Sequence, residues 1–109
     1  MKKLTVVTAS SLLSVSLNIF ADPHFEEALK HATAAAQGGE DAKIIEHTLP
    51  ALEHTMAGAL TAKGLTKTHS DAATKALESA LDLARNKKTE DATASVKSAV
   101  EHLTAANKK

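Results

Sequence analysis

Histidine is the most frequent metal ligand in proteins, and this chain of 109 residues has six histidines and no cysteine. The six are His24, His31, His47, His54, His69 and His102. His24 and His54 are equally far from Gly39 along the sequence, and so are His31 and His47. A helical hairpin that turns near Gly39 would bring the two members of each pair to the same level. This spacing predicts metal binding by paired imidazoles.

The remaining two histidines repeat this arrangement in the second half of the chain. His69 and His102 lie on either side of the polar stretch Asn86-Lys87-Lys88. A second helical hairpin that turns at this stretch would bring them level. The sequence therefore predicts a third pair of imidazoles.

One carboxylate has a position from which it could join the histidines. Glu27 lies three residues after His24 and four residues before His31, so a helix places all three side chains on one face. His24 and His31 lie about 10.5 Å apart along the helix axis, too far to chelate one ion unaided. We therefore expect pairing across the hairpin, His24 with His54 and His31 with His47, with Glu27 or water completing each site.

Helical phase favours open sites over a closed tetrahedral cage. At about 100° per residue, His24 and His31 flank the apolar face of the first helix. His47 and His54 point nearly opposite the apolar face expected for the second helix. We therefore expect adaptable surface sites, which two molecules can also share. The predicted state of the protein is a monomer or a weak metal-bridged oligomer.

The beginning of the chain has the pattern of a secretory signal. Lys2 and Lys3 precede an apolar stretch over residues 4–20, and the small residue Ala21 follows it. That stretch is shorter than a typical membrane span, and it contains more hydroxyl side chains than such a span usually does. We expect residues 1–21 to be a cleaved signal peptide, residues 22–109 to form one domain, and the mature protein to lie in the periplasm without a membrane span.

Composition excludes several classes of function. Residues 22–109 contain eleven basic and thirteen acidic residues, a net charge near −2, so we expect no nucleic-acid partner. Phe25 is the only aromatic residue in that range, and there is no cysteine for a thiolate site or for covalent haem attachment. No catalytic motif is recognisable, so we predict that the protein is not an enzyme.

Ala, Leu, Lys and Glu dominate the chain after Phe25, and apolar residues recur every three or four positions, which predicts four amphipathic helices. Gly38 and Gly39 should end the first helix, and Pro50 should kink the second. Thr68 should cap the third helix, and Thr89 should cap the fourth. Helix by helix, the expected inner faces are Phe25, Ala28, Leu29, Ala32 and Ala36; Ile44, Ile45, Thr48, Leu49, Leu52, Met56 and Leu60; Ala73, Ala76, Leu77, Ala80, Leu81 and Ala84; and Ala92, Val96, Ala99, Val100 and Leu103.

The two halves of the chain resemble an internal duplication. The segment HFEEALK beginning at His24 aligns with HSDAATK beginning at His69, and ALEH ending at His54 aligns with AVEH ending at His102. In this alignment Ala76 replaces His31. Two hairpins of this length predict an all-α fold, an antiparallel up-down-up-down four-helix bundle.

Part of the first hairpin resembles a known family. The run HFEEALKHA from His24, the Gly-Gly turn, and IEHTLPALEH ending at His54 are similar to the small metal-binding protein family (SmbP-like). The resemblance spans the mature chain and is most specific over residues 24–54. It implies an exported, His-rich helical bundle that binds several divalent metal ions, copper above all. This sequence has fewer histidines than that family, particularly in its second half.

Donor chemistry indicates which metals to expect. Imidazole with an occasional carboxylate suits Cu(II), Ni(II) and Zn(II), and the usual order of affinity places Cu(II) first. We therefore predict that the protein binds and buffers divalent metal ions, with Cu(II) preferred. The alternative is a metal-independent helical interaction or stress-protective protein of the cell envelope. A haem-binding bundle is a weaker third reading, because an aromatic pocket is missing.

Overall fold

A computed structural model describes residues 23–108 of the chain. This part of the protein is all-α, with four helices and no strand between residues 23 and 108. The helices are α1 (Pro23–Ala35), α2 (Asp41–Ala59), α3 (Gly64–Arg85) and α4 (Thr89–Ala106). α1 packs against α2 and α4, and α3 packs against the same two helices. The expected signal peptide, residues 1–21, lies outside the described residues.

The core is built mainly from alanine. One cluster of buried side chains joins all four helices, and its largest apolar members are Phe25, Ile44, Leu77, Val96 and Leu103. Short side chains at the contacts allow the helix axes to approach closely. The inner faces predicted for the first, third and fourth helices are confirmed, because every residue assigned to them is buried or half-buried.

The inner face predicted for the second helix is wrong in part. Leu49 and Met56 are 40% and 43% exposed, and Leu60, just beyond the end of α2, is 87% exposed. The buried residues of α2 are smaller on average: Ile44, Thr48, Ala51, Thr55, Gly58 and Ala59. Sequence reasoning favoured the larger apolar residues, but a closely packed interior selects side chains by the space between helices as well as by hydrophobicity.

This correction changes where the histidines of α2 point. At 100° per residue, His54 lies about 90° and His47 about 70° from the centre of the true buried stripe, so both lie on its flank. The prediction that His47 and His54 point nearly opposite the buried face is therefore wrong. Both histidines are half-buried.

The predicted glycine turn is confirmed, whereas the predicted start of the third helix is not. Gly38 and Gly39 have φ angles of +74° and +94°, the left-handed conformation expected after α1. The third helix, however, begins at Gly64, and the Thr68 hydroxyl donates to the Gly64 carbonyl oxygen instead of capping a helix start. α2 continues through Pro50.

The start of α4 also differs from the prediction. Thr89 was expected to cap this helix, but the cap position is occupied by Lys88 and involves no side-chain hydrogen bond. The Thr89 hydroxyl donates instead to Asp41 Oδ1 at 2.8 Å, which connects the start of α4 to the start of α2. Within the described residues, no helix is long and apolar enough to cross a membrane.

Candidate metal centre

Two adjacent helices supply the side chains of the candidate centre. Spacing of three and four residues places His24, Glu27 and His31 on one face of α1. His54 lies on α2, about one turn before its end. His24 is exposed, whereas the other three residues are half-buried. The centre is therefore a surface feature at the junction of α1 and α2.

Close packing beside the centre holds the two helices together. Phe25, the residue after His24, is 1% exposed and lies against Gly58, four residues after His54. A Cβ atom on residue 58 would lie only 2.7 Å from Cε1 of the Phe25 ring. The absence of a side chain at Gly58 therefore lets the start of α1 lie directly beside the end of α2.

His24 and His54 meet at this junction, as their spacing predicts. Their Nδ1 atoms are 3.3 Å apart, and the ring centroids are 5.5 Å apart at an interplanar angle of 34°. Two imidazole nitrogens that bind one ion tetrahedrally, each about 2.1 Å from the metal, lie about 3.4 Å from each other. The observed separation matches this value, and it also suits a hydrogen bond between one protonated and one unprotonated Nδ1.

Glu27, His31 and His54 form the main cluster of possible ligands. One ligand atom from each lies within 4.8 Å of the other two, and all three side chains are half-buried. The rings of His31 and His54 are stacked, with centroids 6.0 Å apart and planes 4° apart. Two donors on one ion are at most about 4.2 Å apart, so small side-chain rotations would bring all three onto a single metal. This is the one group of three or more such residues between residues 23 and 108 that could hold a metal ion.

The predicted pairing of His31 with His47 is wrong. His31 meets His54 instead, and the structure records no ring contact between His47 and another histidine within residues 23–108. His47 and His54 lie about 10.5 Å apart along the axis of α2, and His31 contacts the one nearer the end of that helix. The linear spacing does not distinguish the two pairs, because His24 and His54 have the same symmetry about Gly39 and do meet. Helix rotation and packing distance decide which histidine of α2 His31 meets.

The carboxylate of the cluster already has a cationic neighbour. Lys30 Nζ lies 3.4 Å from Glu27 Oε2, and the two side chains are 64% and 46% exposed. Exposed ion pairs of this kind contribute little to stability. A metal ion at Glu27 would therefore compete with a weak partner, and it would also be repelled by the positive charge of Lys30.

The second hairpin brings its own two histidines together. His69 Nδ1 and His102 Nδ1 are 3.2 Å apart, with ring centroids 5.5 Å apart and planes at 35°. Both side chains are half-buried. The spacing of these residues about the second turn predicts this contact.

The chain is similar to a described protein family over nearly its whole length. The model of a family described as "Small metal-binding protein" matches residues 1–106. The chain belongs to the small metal-binding protein family. The match extends across both hairpins, beyond the segment over residues 24–54 that carries the resemblance most specifically. No curated protein and no solved structure gives a significant match to the chain.

Membership of the small metal-binding protein family and the geometry of the cluster support the same general role. The family description names metal binding, and the structure provides a group of two histidines and one glutamate that could hold a metal ion. Four of the seven residues predicted from the sequence as ligands lie at this junction, namely His24, Glu27, His31 and His54. His69 and His102 meet in the second hairpin, and His47 lies apart.

Proposed function

We propose that this protein binds and buffers divalent metal ions at the centre formed by Glu27, His31 and His54. The observation that carries the proposal is the convergence of their three ligand atoms to within 4.8 Å of one another. His24 supports the same centre, because its Nδ1 lies 3.3 Å from that of His54. It either supplies a fourth donor or orients the His54 ring by a hydrogen bond, as outer partners of metal-binding histidines do.

The donor set favours Cu(II). Two imidazoles and one carboxylate suit Cu(II), Ni(II) and Zn(II), and sites of this type bind Cu(II) most tightly. Cysteine is absent from the chain, so no thiolate site for Cu(I) is available. Half-burial leaves room for water to occupy the remaining coordination positions.

The proposal also covers the arrangement of the helices, the location of the protein and its role. We propose that the four helices form an antiparallel up-down-up-down bundle, which is supported by the packing of the start of α1 against the end of α2 and by the His69 contact with His102. The signal-like pattern of residues 1–21 supports a periplasmic location. The role proposed is storage and exchange of metal, without catalysis.

Titration of Cu(II) into the purified protein tests the proposed centre. Calorimetry should show that each of the substitutions His31→Ala, His54→Ala and Glu27→Gln lowers the affinity of the tightest binding step, because a ligand is lost. We expect the affinity to fall roughly tenfold or more for each histidine substitution. His47→Ala is the matched control, since it removes a half-buried histidine of α2 that contacts no other imidazole. It should leave the tightest step unchanged.

Thermal unfolding provides an independent measurement. Metal that binds only the folded protein raises its melting temperature, so Cu(II) should stabilise the wild type and the His47→Ala variant more than the other three. Equal binding by all five proteins would overturn the proposed centre. No binding by the wild type would favour the alternative, a metal-independent interaction or stress-protective protein of the envelope.

A further inference from the structure

The histidine pairs of the two hairpins have nearly the same geometry. The Nδ1 separations are 3.3 Å for His24 and His54 and 3.2 Å for His69 and His102. Both pairs have centroid distances of 5.5 Å, and their interplanar angles are 34° and 35°. Separate halves of the chain thus build the same arrangement of imidazoles. The role proposed for the first hairpin does not use the second pair.

The duplicated sequence shows what the second hairpin lacks. When His24 is aligned with His69, Glu27 corresponds to Ala72 and His31 corresponds to Ala76. Ala72 and Ala76 are half-buried, as Glu27 and His31 are. The second hairpin therefore retains the pair of imidazoles but has neither the carboxylate nor the third imidazole.

We propose that His69 and His102 form a second site for a divalent transition metal ion, weaker than the first because it has two protein donors. The separation of their Nδ1 atoms matches that of two nitrogens on one tetrahedral ion, about 3.4 Å. Water fills the other positions. The inference rests on the proposed function for the class of metal, although it involves none of the residues of the first centre.

Charge near the second pair is consistent with a weak site. No carboxylate lies three or four residues from His69 or from His102 along their helices. The ion therefore has no anionic ligand from those positions, and each neutral imidazole binds it through an unprotonated Nδ1. We expect Cu(II) to fill the first centre before the second.

The alternative is that this pair makes only a hydrogen bond. One neutral imidazole can donate from Nδ1 to an unprotonated Nδ1 at 3.2 Å. Such a pair would help to hold α3 against α4 without binding metal. If a variant that lacks the first centre still binds metal through this pair, the pair is a metal site. If it binds none, the pair makes only a hydrogen bond.

The experiment removes the first centre and examines what remains. In the variant His24→Ala/His31→Ala/His54→Ala, calorimetric titration with Cu(II) should show one residual ion, bound roughly tenfold or more weakly than the first ion of the wild type. Adding His102→Ala should abolish this binding. Adding His47→Ala instead is the matched control and should leave it unchanged.

The outcomes separate this inference from the proposed function. A wild type that binds Cu(II), combined with a triple variant that binds none, would overturn the second site and retain the first. A residual ion that survives His102→Ala would also overturn the second site. Absence of binding by the wild type would overturn both. If the triple variant does not fold, His69→Ala/His102→Ala in the native background must lose the weaker of two binding steps and keep the stronger.

Substitutions that should strengthen metal binding provide a second test of the site. Ala72→Glu/Ala76→His, made in the variant that lacks the first centre, rebuilds the missing donors on α3. We expect affinity for the residual ion to rise roughly tenfold or more. The control is Ala72→Gln/Ala76→Gln, which adds similar bulk without a carboxylate or an imidazole. Circular dichroism confirms that each variant remains helical, and equal affinity in both would overturn the assignment of the site to this face.

Discussion

The ring of Phe25 fills the space in which a side chain on Gly58 would begin. A Cβ at residue 58 would lie 2.7 Å from Cε1 and 2.9 Å from Cζ of that ring, and Phe25 is only 1% exposed. His24 precedes Phe25, and His54 lies one turn before Gly58. The same close approach of α1 and α2 therefore fixes both the core and the distance between the two imidazoles.

Gly58→Ala is expected to destabilise the protein and to weaken metal binding together. Alanine improves helix propensity by about 1 kcal/mol, but forcing a methyl group into a filled core costs about 1 to 3 kcal/mol. We expect a net loss of about 1 kcal/mol in the free energy of unfolding, measured with urea. Cu(II) affinity should fall as well, because α1 and α2 move apart beside His24 and His54.

A smaller side chain at residue 25 provides the control for this prediction. Phe25→Leu makes space for the new methyl group, so the double variant Phe25→Leu/Gly58→Ala should lose less stability than the two single variants added together. Residues in direct contact show such coupling. Strict additivity would mean that the predicted clash does not occur.

Thr48→Val should stabilise the protein. Thr48 is fully buried, and its hydroxyl oxygen has no hydrogen-bond partner. An unsatisfied buried polar group costs about 1 to 3 kcal/mol, and valine has nearly the same shape. We expect a gain of about 1 kcal/mol, which raises the melting temperature of a domain of this size by about 4 to 8 °C.

Thr55→Val is the matched comparison on the same stripe of α2. Thr55 is also fully buried, but its hydroxyl donates to the Ala51 carbonyl oxygen at 2.7 Å. Valine would remove that hydrogen bond, so we expect no gain in stability. If both variants stabilise the protein equally, the unpaired hydroxyl of Thr48 is not the cause.

Lys30→Gln should increase affinity for the metal ion. The substitution removes the ion pair with Glu27 and a positive charge near the centre, while the length of the side chain is nearly kept. Exposed charges interact weakly, so we expect Cu(II) binding to tighten by roughly two- to fivefold at low ionic strength. The control is Lys43→Gln, since Lys43 is exposed near the start of α2, far from His54. An equal effect of both substitutions would indicate that net charge alone controls binding.

Acid should release the metal. Imidazole binds metal in its neutral form, so protons and the metal ion compete for the same ring nitrogens. Stabilisation by Cu(II) is therefore present at neutral pH and decreases as the pH falls. We expect the increase in melting temperature to become smaller on acidification, and to be lost at a higher pH when less Cu(II) is present. An increase that does not change on acidification would argue against imidazole ligands.

Local features of the sequence were sufficient to predict the helices and most of the core. Periodic apolar residues and the Gly38-Gly39 turn indicated four helices, and the inner faces of α1, α3 and α4 are confirmed. Symmetry about the two turns also predicted that His24 meets His54 and that His69 meets His102. These features depend on residue types and on distances along one hairpin, which a linear sequence records.

Contacts between helices decided the rest. The exposed position of Met56 and the burial of Thr55 depend on how closely α2 approaches its neighbours, because side-chain size then matters as much as hydrophobicity. The meeting of His31 with His54 instead of His47 depends on how α1 and α2 are rotated and spaced against each other. The sequence by itself determined which metal-binding groups are present and which helices carry them. Tertiary structure determined which of these groups meet, because that depends on helix rotation and packing distance.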